Sequence, residues 1–325
     1  MNIAFLTGIE RQPGAGGGSV HVSQVAGCLE RRGHTLCSNL GNPEEIQAFY
    51  VRIDGWPERD VLTGHRRINR HAPCIWEVNA PVEEMRLKNV SEVRLAWLNR
   101  RRRAIALLAD TAICVSEEMV DYARTCLGIG DAHLVPNGSD PGMFSQEKSD
   151  PSLFETDRFN VIWVGSAEYP WQGIRLVRKA AERLLSIDRE ILFHVTAEGP
   201  SSENLRCLGK IPYIDMPRYI ASADAGLCLY ENIDYYPRFY FSPLEEIVGG
   251  ILRLKNDRTE SQAMGTRGRE AVVARYNWDN IALRTEEILS GAIDRANRKG
   301  ISGAVRYFIS SRLAGRHLPR EGAMS

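Results

Sequence analysis

Apolar and polar positions along the chain fall into blocks that predict strand–turn–helix units. Residues 161–164 are continuously apolar, which is typical of a short strand buried on both faces, and Gly165 ends the run. After a polar turn, apolar residues recur at helical spacing: Ile174, Val177, Ala180, Ala181, Leu184 and Leu185. This order predicts the opening unit of a doubly wound α/β sheet. Ligands of such sheets bind at the carboxyl ends of the strands, beside helix N-termini that favour anions.

A similar unit begins at the N-terminus. Residues 3–6 predict a buried strand, residues 14–18 are glycine-rich, and Ser19 is predicted to cap a helix that Gly33 ends. The glycines would let a ligand approach backbone N–H groups. The alternative is a flexible turn, because the spacing matches neither the dinucleotide-binding nor the phosphate-loop pattern. With 325 residues and about 150 residues per domain, the chain is predicted to fold as two similar α/β halves.

The remaining pattern predicts further elements in both halves. Predicted strands cover residues 35–38, 48–53, 73–78, 112–115, 191–195, 208–212 and 224–230. Predicted helices cover residues 91–109, 216–223, 260–275 and 276–289, and another starts at Ser116 with a capping signal. Polar residues 145–157 predict the link between the halves. The predicted domains are therefore 1–150 and 151–290, followed by a basic tail, 291–325.

Composition narrows the class of protein. The formal net charge is zero, so no global charge points to nucleic acid as a partner. The seven cysteines form no CxxC pair, and Cys74, Cys114 and Cys228 are predicted to be buried free thiols in a reducing compartment. The first ten residues lack the basic start and long apolar stretch of a signal peptide, and no apolar run is long enough to cross a bilayer. The expected location is cytoplasmic.

Two basic segments leave a peripheral membrane contact open. Residues 100–103 are four consecutive arginines that cover the whole circumference of the predicted helix, either as a solvated face or as a contact with an acidic membrane. The tail beyond Ser290 mixes arginines with Tyr307, Phe308 and Leu313. It is predicted to be either a weak membrane-surface helix or a frayed, solvated end.

Several predicted loops carry residues with two interpretations. Residues 79–81 (Asn-Ala-Pro) follow a predicted strand, where they either contribute to a ligand site or only turn the chain. Asn137 and Gly138 suit a tight turn with positive φ. The aromatic segment 235–244 either stacks on a ligand or folds under neighbouring loops, because exposed aromatic clusters are costly.

Six short motifs, taken together and in order, resemble the large retaining group of GT-B glycosyltransferases that includes bacterial mannosyl- and sucrose-related enzymes (glycosyltransferase family 4-like). Each motif alone is weak, but their order along the chain to about Leu289 is specific to that family. The motifs are residues 16–18 (GGG), 136–140 with Phe144 (PNGSD and F), 164–165 to 172–173 (VG to QG), 223–230 (ADAGLCLY), 242–244 (SPL) and 276–278 (YNW).

The resemblance implies two Rossmann-like domains facing a cleft, with a nucleotide-sugar donor held mainly by the second and an unidentified acceptor by the first. It implies transfer with retention of configuration and without a cofactor or bound metal, because basic side chains and helix N-termini neutralise the diphosphate. Asn79 stands, by approximate alignment, where many members have a sugar-contacting histidine and is the candidate catalytic residue. The implied donor-binding residues are Gly17, Gly18, Gly165, Ser166, Gln172, Gly173, Gly199, Lys210, Ile211, Pro212, Arg238 and Ser242.

The chain departs from the family pattern at the donor side. Ser166 and Gln172 stand where the family often has arginine and lysine, which would leave the diphosphate charge to Arg238 or Lys210. After Leu244 the chain continues directly into residues 245–250, which are too few for the usual helix and strand. We therefore expect the second domain to lack a helix and a strand, and the donor to bind weakly and transfer slowly or not at all.

Two other functions stay open. One is a non-catalytic glycosyltransferase homologue that binds a partner or a nucleotide. The other is a sugar-nucleotide epimerase of similar two-domain shape. Donor hydrolysis or transfer would separate an enzyme from a binding protein, and an inverted ring centre without an acceptor would indicate the epimerase.

Overall fold

A computed structural model describes residues 1–7, 17–37, 43–52, 64, 69, 71–84, 90–231 and 242–299. Gly14–Gly16 of the glycine-rich stretch, Arg238 and most of the aromatic segment lie outside these residues. The chain divides into two compact units. The first is Met1–Gly138 together with the chain from Trp278 onward, and the second is Ser139–Asn277.

Both units are α/β, with strands that alternate with helices. The described elements of the first unit, before the chain leaves it, are β1 (Asn2–Thr7), α1 (Gly17–Arg31), β2 (Thr35–Cys37), β3 (Ala48–Arg52), β4 (Cys74–Val78), α2 (Glu92–Ala106), β5 (Thr111–Cys114), α3 (Glu117–Thr125) and β6 (Ala132–Leu134). Those of the second unit are β7 (Phe159–Trp163), α4 (Ile174–Leu185), β8 (Ile191–Val195), β9 (Leu205–Cys207), α5 (Met216–Ser222), β10 (Ala225–Leu227), α6 (Leu244–Asn256) and α7 (Arg258–Ala274). The last helix, α8 (Trp278–Lys299), returns to the first unit.

The first unit has a parallel sheet in the order β2-β1-β3-β4-β5-β6. Its central strands are buried along most of their length, as continuous apolar runs predict. Val22, Val25 and Leu29 of α1 pack in one core cluster with Ile281 and Leu289 of α8. The helix that follows the second unit therefore completes the core of the first.

Of the two helix N-caps predicted from the sequence, at Ser116 and at Ser19, the structure confirms the first and not the second. Ser116 caps α3, because its Oγ accepts a hydrogen bond from Met119 N at 3.4 Å. The prediction that Ser19 caps α1 is wrong, since the helix begins at Gly17 and Ser19 lies buried inside it. Gly17 and Gly18 themselves therefore form the start of the helix, which leaves their backbone uncovered by side chains.

The second unit has a parallel sheet of four described strands in the order β10-β7-β8-β9. The strand predicted at residues 208–212 is wrong by several residues: β9 is Leu205–Cys207, and it pairs with β8 from Leu205 opposite Phe193. Cys74 and Cys114 are buried as predicted, but Cys228 is exposed because it follows β10, which lies at the edge of the described sheet.

The segment after Leu244 forms a helix rather than a helix and a strand. Ile247, Val248 and Ile251 of α6 pack into the core of the second unit with residues of α4. Asp257 then caps α7, and its Oδ1 accepts a hydrogen bond from Glu260 N at 2.9 Å. In the described residues from 242 to 277, no strand follows β10, and the sheet ends with it.

Residues 145–157 do not link the units, because they pack on the second one. Gln146 Nε2 donates to Ala221 O at 3.1 Å, and Asp150 N donates to Ser222 Oγ at 2.7 Å. Arg218 forms an ion pair with Asp150. The chain instead changes units at positions 138/139 and 277/278. The boundaries expected at 150/151 and 290/291 fall inside the second unit and inside α8.

Two of the six sequence motifs lie side by side where the chain changes units. Ser139 N donates to Tyr276 O at 2.7 Å, and Ser139 forms a parallel bridge with Asn277. The prediction of positive φ at Gly138 is wrong. Glycine is needed there because a Cβ would lie 2.6 Å from the Trp278 ring.

We predict that Gly138→Ala destabilises the protein, since the Cβ would overlap the buried Trp278 ring and force it to move. The expected loss is roughly 1–3 kcal/mol in urea unfolding, as for other overpacked sites. Gly130→Ala is the matched control, because a Cβ there meets nothing within 4 Å. Equal unfolding midpoints for the two variants would contradict the predicted contact.

Candidate functional site

Four loops leave the carboxyl edge of the second sheet, where parallel α/β sheets bind ligands. They follow β7, β8, β9 and β10 and share this edge because the strands are parallel. The described donor-binding residues that the sequence predicts in the second unit all lie in these loops: Gly165, Ser166, Gln172, Gly173, Gly199, Lys210, Ile211, Pro212 and Ser242. The fold thus brings these residues to one edge.

The loop after β7 is closed by its own side chains. Ser166 N donates to Gln172 Oε1 at 2.7 Å, and Trp163 Nε1 donates to Gln172 O at 2.9 Å. Gly165 N donates to Thr196 Oγ1 at 3.0 Å. A Cβ on Gly165 would lie 2.4 Å from the Trp163 ring. Gln172 therefore holds the loop together through its amide oxygen.

The start of α4 points at this loop. Gly173 is the N-cap with φ of 81°, and the first turn of α4 has no acidic residue. A helix N-terminus of this kind favours an anion. Arg175 lies in that first turn and forms an ion pair with Glu231 at 2.9 Å. The charge nearest the helix start is therefore already partly balanced.

The segment after β10 runs beside the same loop. Glu231 N donates to Trp171 O at 3.0 Å, and Ser242 N donates to Tyr230 O at 3.1 Å. These bonds bring Ser242 to the carboxyl edge, although it is distant in sequence from the loop after β7.

The loops after β8 and β9 supply a constrained glycine and an exposed cation. Gly199 has φ of 139°, which favours glycine, and Arg178 Nη1 donates to the adjacent Pro200 O at 3.0 Å. Lys210 is exposed and forms no ion pair with a carboxylate in the described part of the chain. Two cations, Lys210 and Arg238, are predicted to meet the diphosphate. The structure describes the position of Lys210, whereas Arg238 lies outside the described residues.

The predicted residues of the first unit lie at the carboxyl edge of its own sheet. Gly17 and Gly18 begin α1 after β1, and Asn79 directly follows β4. The loop that carries Asn79 is held from two helices. Arg102 Nη1 donates to Ala80 O at 2.7 Å, and Val82 N donates to Tyr122 Oη at 3.3 Å.

Arg102 corrects the interpretation of the arginine run as a solvated face. Its guanidinium lies 5.5 Å from the centre of the Trp76 ring and 5.7 Å from that of Tyr122. Position 102 lies on the inward face of α2 because it is seven residues after the buried Leu95 and three before the buried Ile105. One of the four arginines therefore points into the protein and fixes the Asn79 loop.

One buried carboxylate is not singled out by the sequence pattern: Glu77, the next-to-last residue of β4. Its side chain accepts hydrogen bonds from Tyr50 Oη and from Arg52 Nη1, the latter at 3.2 Å. His21 Nε2 lies 3.0 Å from Glu77 Oε1, an ion pair when the ring is protonated, although the contact lacks hydrogen-bond geometry. An acidic residue inside the apolar run CIWEV was the available signal.

The partners of Glu77 keep it ionised. Burial alone would raise the pKa of the Glu77 carboxyl, but His21, Arg52 and Tyr50 outweigh it and lower the pKa from 4.5 to about 2. Burial, together with the Glu77 charge, raises the pKa of Tyr50 well above its usual value. A negative charge is therefore fixed beneath the carboxyl ends of β3 and β4.

Comparisons with known proteins agree with this architecture. No protein-family profile and no curated protein sequence matches the chain. Among solved structures, Anabaena HepE in complex with UDP-glucose is similar at a TM-score of 0.62 and 14% identity over 90% of this chain and 100% of that one. S. aureus TarM is also similar, at a TM-score of 0.54 and 13% identity over 82% of this chain and 58% of that one. S. aureus MnaA in complex with UDP is similar at a TM-score of 0.50 and 10% identity over 87% of this chain and 94% of that one.

The chain has the GT-B fold. At these identities the likeness establishes two Rossmann-like α/β units and nothing of the chemistry. In this GT-B chain the described donor-binding residues of the second unit occupy one edge of its sheet, and Gly17, Gly18 and Asn79 occupy the carboxyl edge of the first sheet.

We predict that Glu77→Gln destabilises the protein at neutral pH by roughly 3–5 kcal/mol, because it leaves Arg52 buried without its counter-charge. The pKa of Glu77 is lower in the folded state than in the unfolded state, so the stabilisation is complete above pH 4.5 and is lost as the pH falls toward 2. The difference in unfolding free energy between wild type and variant should shrink over that range.

Urea unfolding at a series of pH values measures this difference. Glu182→Gln, on the exposed face of α4, is the control and should match wild type throughout. A Glu77→Gln difference that stays constant from pH 7 to pH 2.5 would contradict the assignment of the charge to Glu77.

Proposed function

We propose that the chain is a retaining glycosyltransferase of the family 4 type, which moves a sugar from a UDP-sugar or related donor to an acceptor. The observation that carries this proposal is the convergence of the described donor residues of the second unit on the carboxyl edge of one parallel sheet. The fold shared with HepE, which was solved with UDP-glucose, supports a nucleotide sugar as donor. The proposed location is cytoplasmic.

In this proposal the diphosphate lies at the start of α4, over the loop after β7. Backbone N–H groups at the helix start and Lys210 would meet its charge, because Gln172 is uncharged and its amide oxygen accepts from Ser166 N within the loop. The nucleoside would lie against Gly199, Ile211 and Pro212. Arg238, outside the described residues, stays a predicted second cation.

The chemistry then depends on positioning and electrostatics. Retention in such enzymes is ascribed to attack on the face that the diphosphate leaves, with the departing diphosphate helping to deprotonate the acceptor hydroxyl. The protein would orient the reactants and stabilise the charge that develops on the diphosphate. The proposed acceptor side is the first unit, where Arg102 holds the Asn79 loop. Gly17 and Gly18 stay predicted contacts of the donor, and Asn79 stays the predicted catalytic residue. No cofactor or metal is required by this scheme.

A second candidate function is a non-catalytic homologue that binds the nucleotide. One observation favours it: in the described residues α6 is followed directly by α7 and no strand follows β10. The donor edge would then have fewer walls, which lowers donor affinity and slows transfer.

We predict that Gly165→Ala weakens UDP binding about tenfold or more, because its Cβ would meet the Trp163 ring at 2.4 Å and open the loop that Gln172 closes. Titration calorimetry of the folded variants measures the affinity. Gly226→Ala in β10 is the control, since a Cβ there meets nothing within 4 Å. Unchanged affinity in Gly165→Ala, with loss in Gly226→Ala, would show that the donor site is placed wrongly.

Turnover separates the candidate functions. Protein of verified mass, 36.5 kDa, is incubated with UDP-, GDP- and ADP-sugars and a panel of acceptors, and products are followed by NMR. We expect slow transfer with the anomeric configuration of the donor retained. Binding of a nucleotide without transfer or hydrolysis would support the non-catalytic homologue, and an inverted ring centre without acceptor would support an epimerase.

A further inference from the structure

The four consecutive arginines of α2 point in different directions, because successive residues lie on different faces of a helix. Arg102 points inward, and the Arg101 guanidinium lies 4.2 Å from the centre of the Trp97 ring. Arg100 and Arg103 are exposed, and neither forms an ion pair with a carboxylate among the described residues. Two of the four cations are therefore free to meet a partner.

The exposed face of α2 also carries apolar side chains. Val93 is 83% exposed and Leu107, at the end of the helix, is 53% exposed. Positions 93, 96, 100, 103 and 107 are three or four residues apart and lie on one face of a helix. An arginine faces the protein on the inner side of α2, while large apolar groups face outward. The inner side also buries Leu95 and Ile105 in the usual way, so Val93 and Leu107 are additional apolar groups that the described residues leave exposed.

A groove adjoins this face. It has a volume of ≈ 560 Å³ and lies between α2 and the end of α3 with its following turn. Its lining contains both free arginines and no carboxylate: Arg100, Arg103, Ala104, Leu107, Thr125, Cys126, Leu127 and Gly128. The groove is therefore positively charged with apolar walls.

We propose that this α2 face, defined as Val93, Arg100, Arg103, Leu107 and the adjoining groove, docks on an anionic phospholipid surface. The arginines would gain from the negative surface potential of such a membrane, and the groove offers space for a lipid phosphate beside them. The contact is interfacial, since none of the described helices is long and apolar enough to cross a bilayer.

The apolar residues favour a lipid surface over a nucleic acid. Val93 and Leu107 lie at the two ends of the face and would enter the boundary between headgroups and acyl chains. A nucleic acid would form ion pairs with the two arginines but would leave the apolar side chains of Val93 and Leu107 in water. The proposal does not depend on glycosyl transfer, because it uses no residue of the proposed donor or acceptor edges.

Vesicle flotation of the full chain tests the proposal. It compares phosphatidylcholine vesicles with vesicles in which roughly 40% of the lipid is anionic phosphatidylglycerol, so that the surface potential is negative. Wild type should float only with the anionic vesicles. An arginine near an anionic surface contributes about fivefold in affinity, so Arg100→Glu/Arg103→Glu should lose about 30-fold or more. Lys179→Glu/Arg183→Glu on exposed positions of α4 has the same net-charge change and should bind like wild type.

A charge-neutral variant separates lipid docking from simple electrostatics. Val93→Ser/Leu107→Ser should bind anionic vesicles more weakly than wild type and bind single-stranded RNA no differently. Circular dichroism verifies that each variant is folded. The proposal is overturned if wild type does not bind anionic vesicles. It is also overturned if Arg100→Glu/Arg103→Glu and Lys179→Glu/Arg183→Glu bind them equally well. It is also overturned if serine at 93 and 107 changes nothing, or if loss occurs only in Arg306→Glu/Arg312→Glu of the tail.

Discussion

The close packing of Gly165 against the Trp163 ring is the constraint on which the candidate donor edge depends. No Cβ fits at position 165, because it would lie 2.4 Å from that ring. The chain can therefore turn at once after β7, and the turn returns Gln172 to accept a hydrogen bond from Ser166 N. Helix α4 then begins at the left-handed Gly173, with its N-terminus facing the loop. Position 172 thus carries an uncharged side chain whose amide oxygen closes the loop.

The edge of the first sheet is built differently, around a buried charge. Glu77 is held by Tyr50, Arg52 and His21, which come from β3 and α1. Such clusters contribute little net stability compared with apolar packing, since burying the charges costs about as much as their attraction returns. They do fix the relative positions of the elements that carry them. We infer that the cluster sets the register of α1 on the strand ends, and that Arg102 does the same for the Asn79 loop.

Sequence reasoning predicts the parts of this fold that depend on apolar runs. Strands β1, β3, β4, β7 and β8 lie close to where the apolar pattern predicts them, because burial on both faces leaves a continuous signal. Helix α4 lies where apolar residues recur at helical spacing. Short elements were misplaced, as at residues 208–212, since three paired residues give too little pattern.

Predictions for single residues were wrong or incomplete where a residue's role depends on partners distant in sequence or on its place in an element. Gly138 is required by the ring of Trp278, which is distant in sequence, and not by its own φ. Arg102 and Glu77 are charged residues whose partners lie on other elements. The neighbouring sequence therefore predicts a solvated arginine at 102 and gives no sign that Glu77 has buried partners. Ser19 lies inside α1, which the two glycines before it begin. The donor residues share an edge only because all four strands are parallel, and this depends on the topology.

Hydrogen exchange measured by mass spectrometry, with and without saturating UDP, tests the central claim most directly, because it locates the ligand without requiring turnover. The account predicts slower amide exchange in the loops after β7, β8 and β9, around Gly165–Gly173, Gly199 and Lys210, with little change in α7. Unchanged exchange in these loops at a UDP concentration that saturates binding, or protection confined to the first unit, would contradict a donor site at the carboxyl edge of the second sheet.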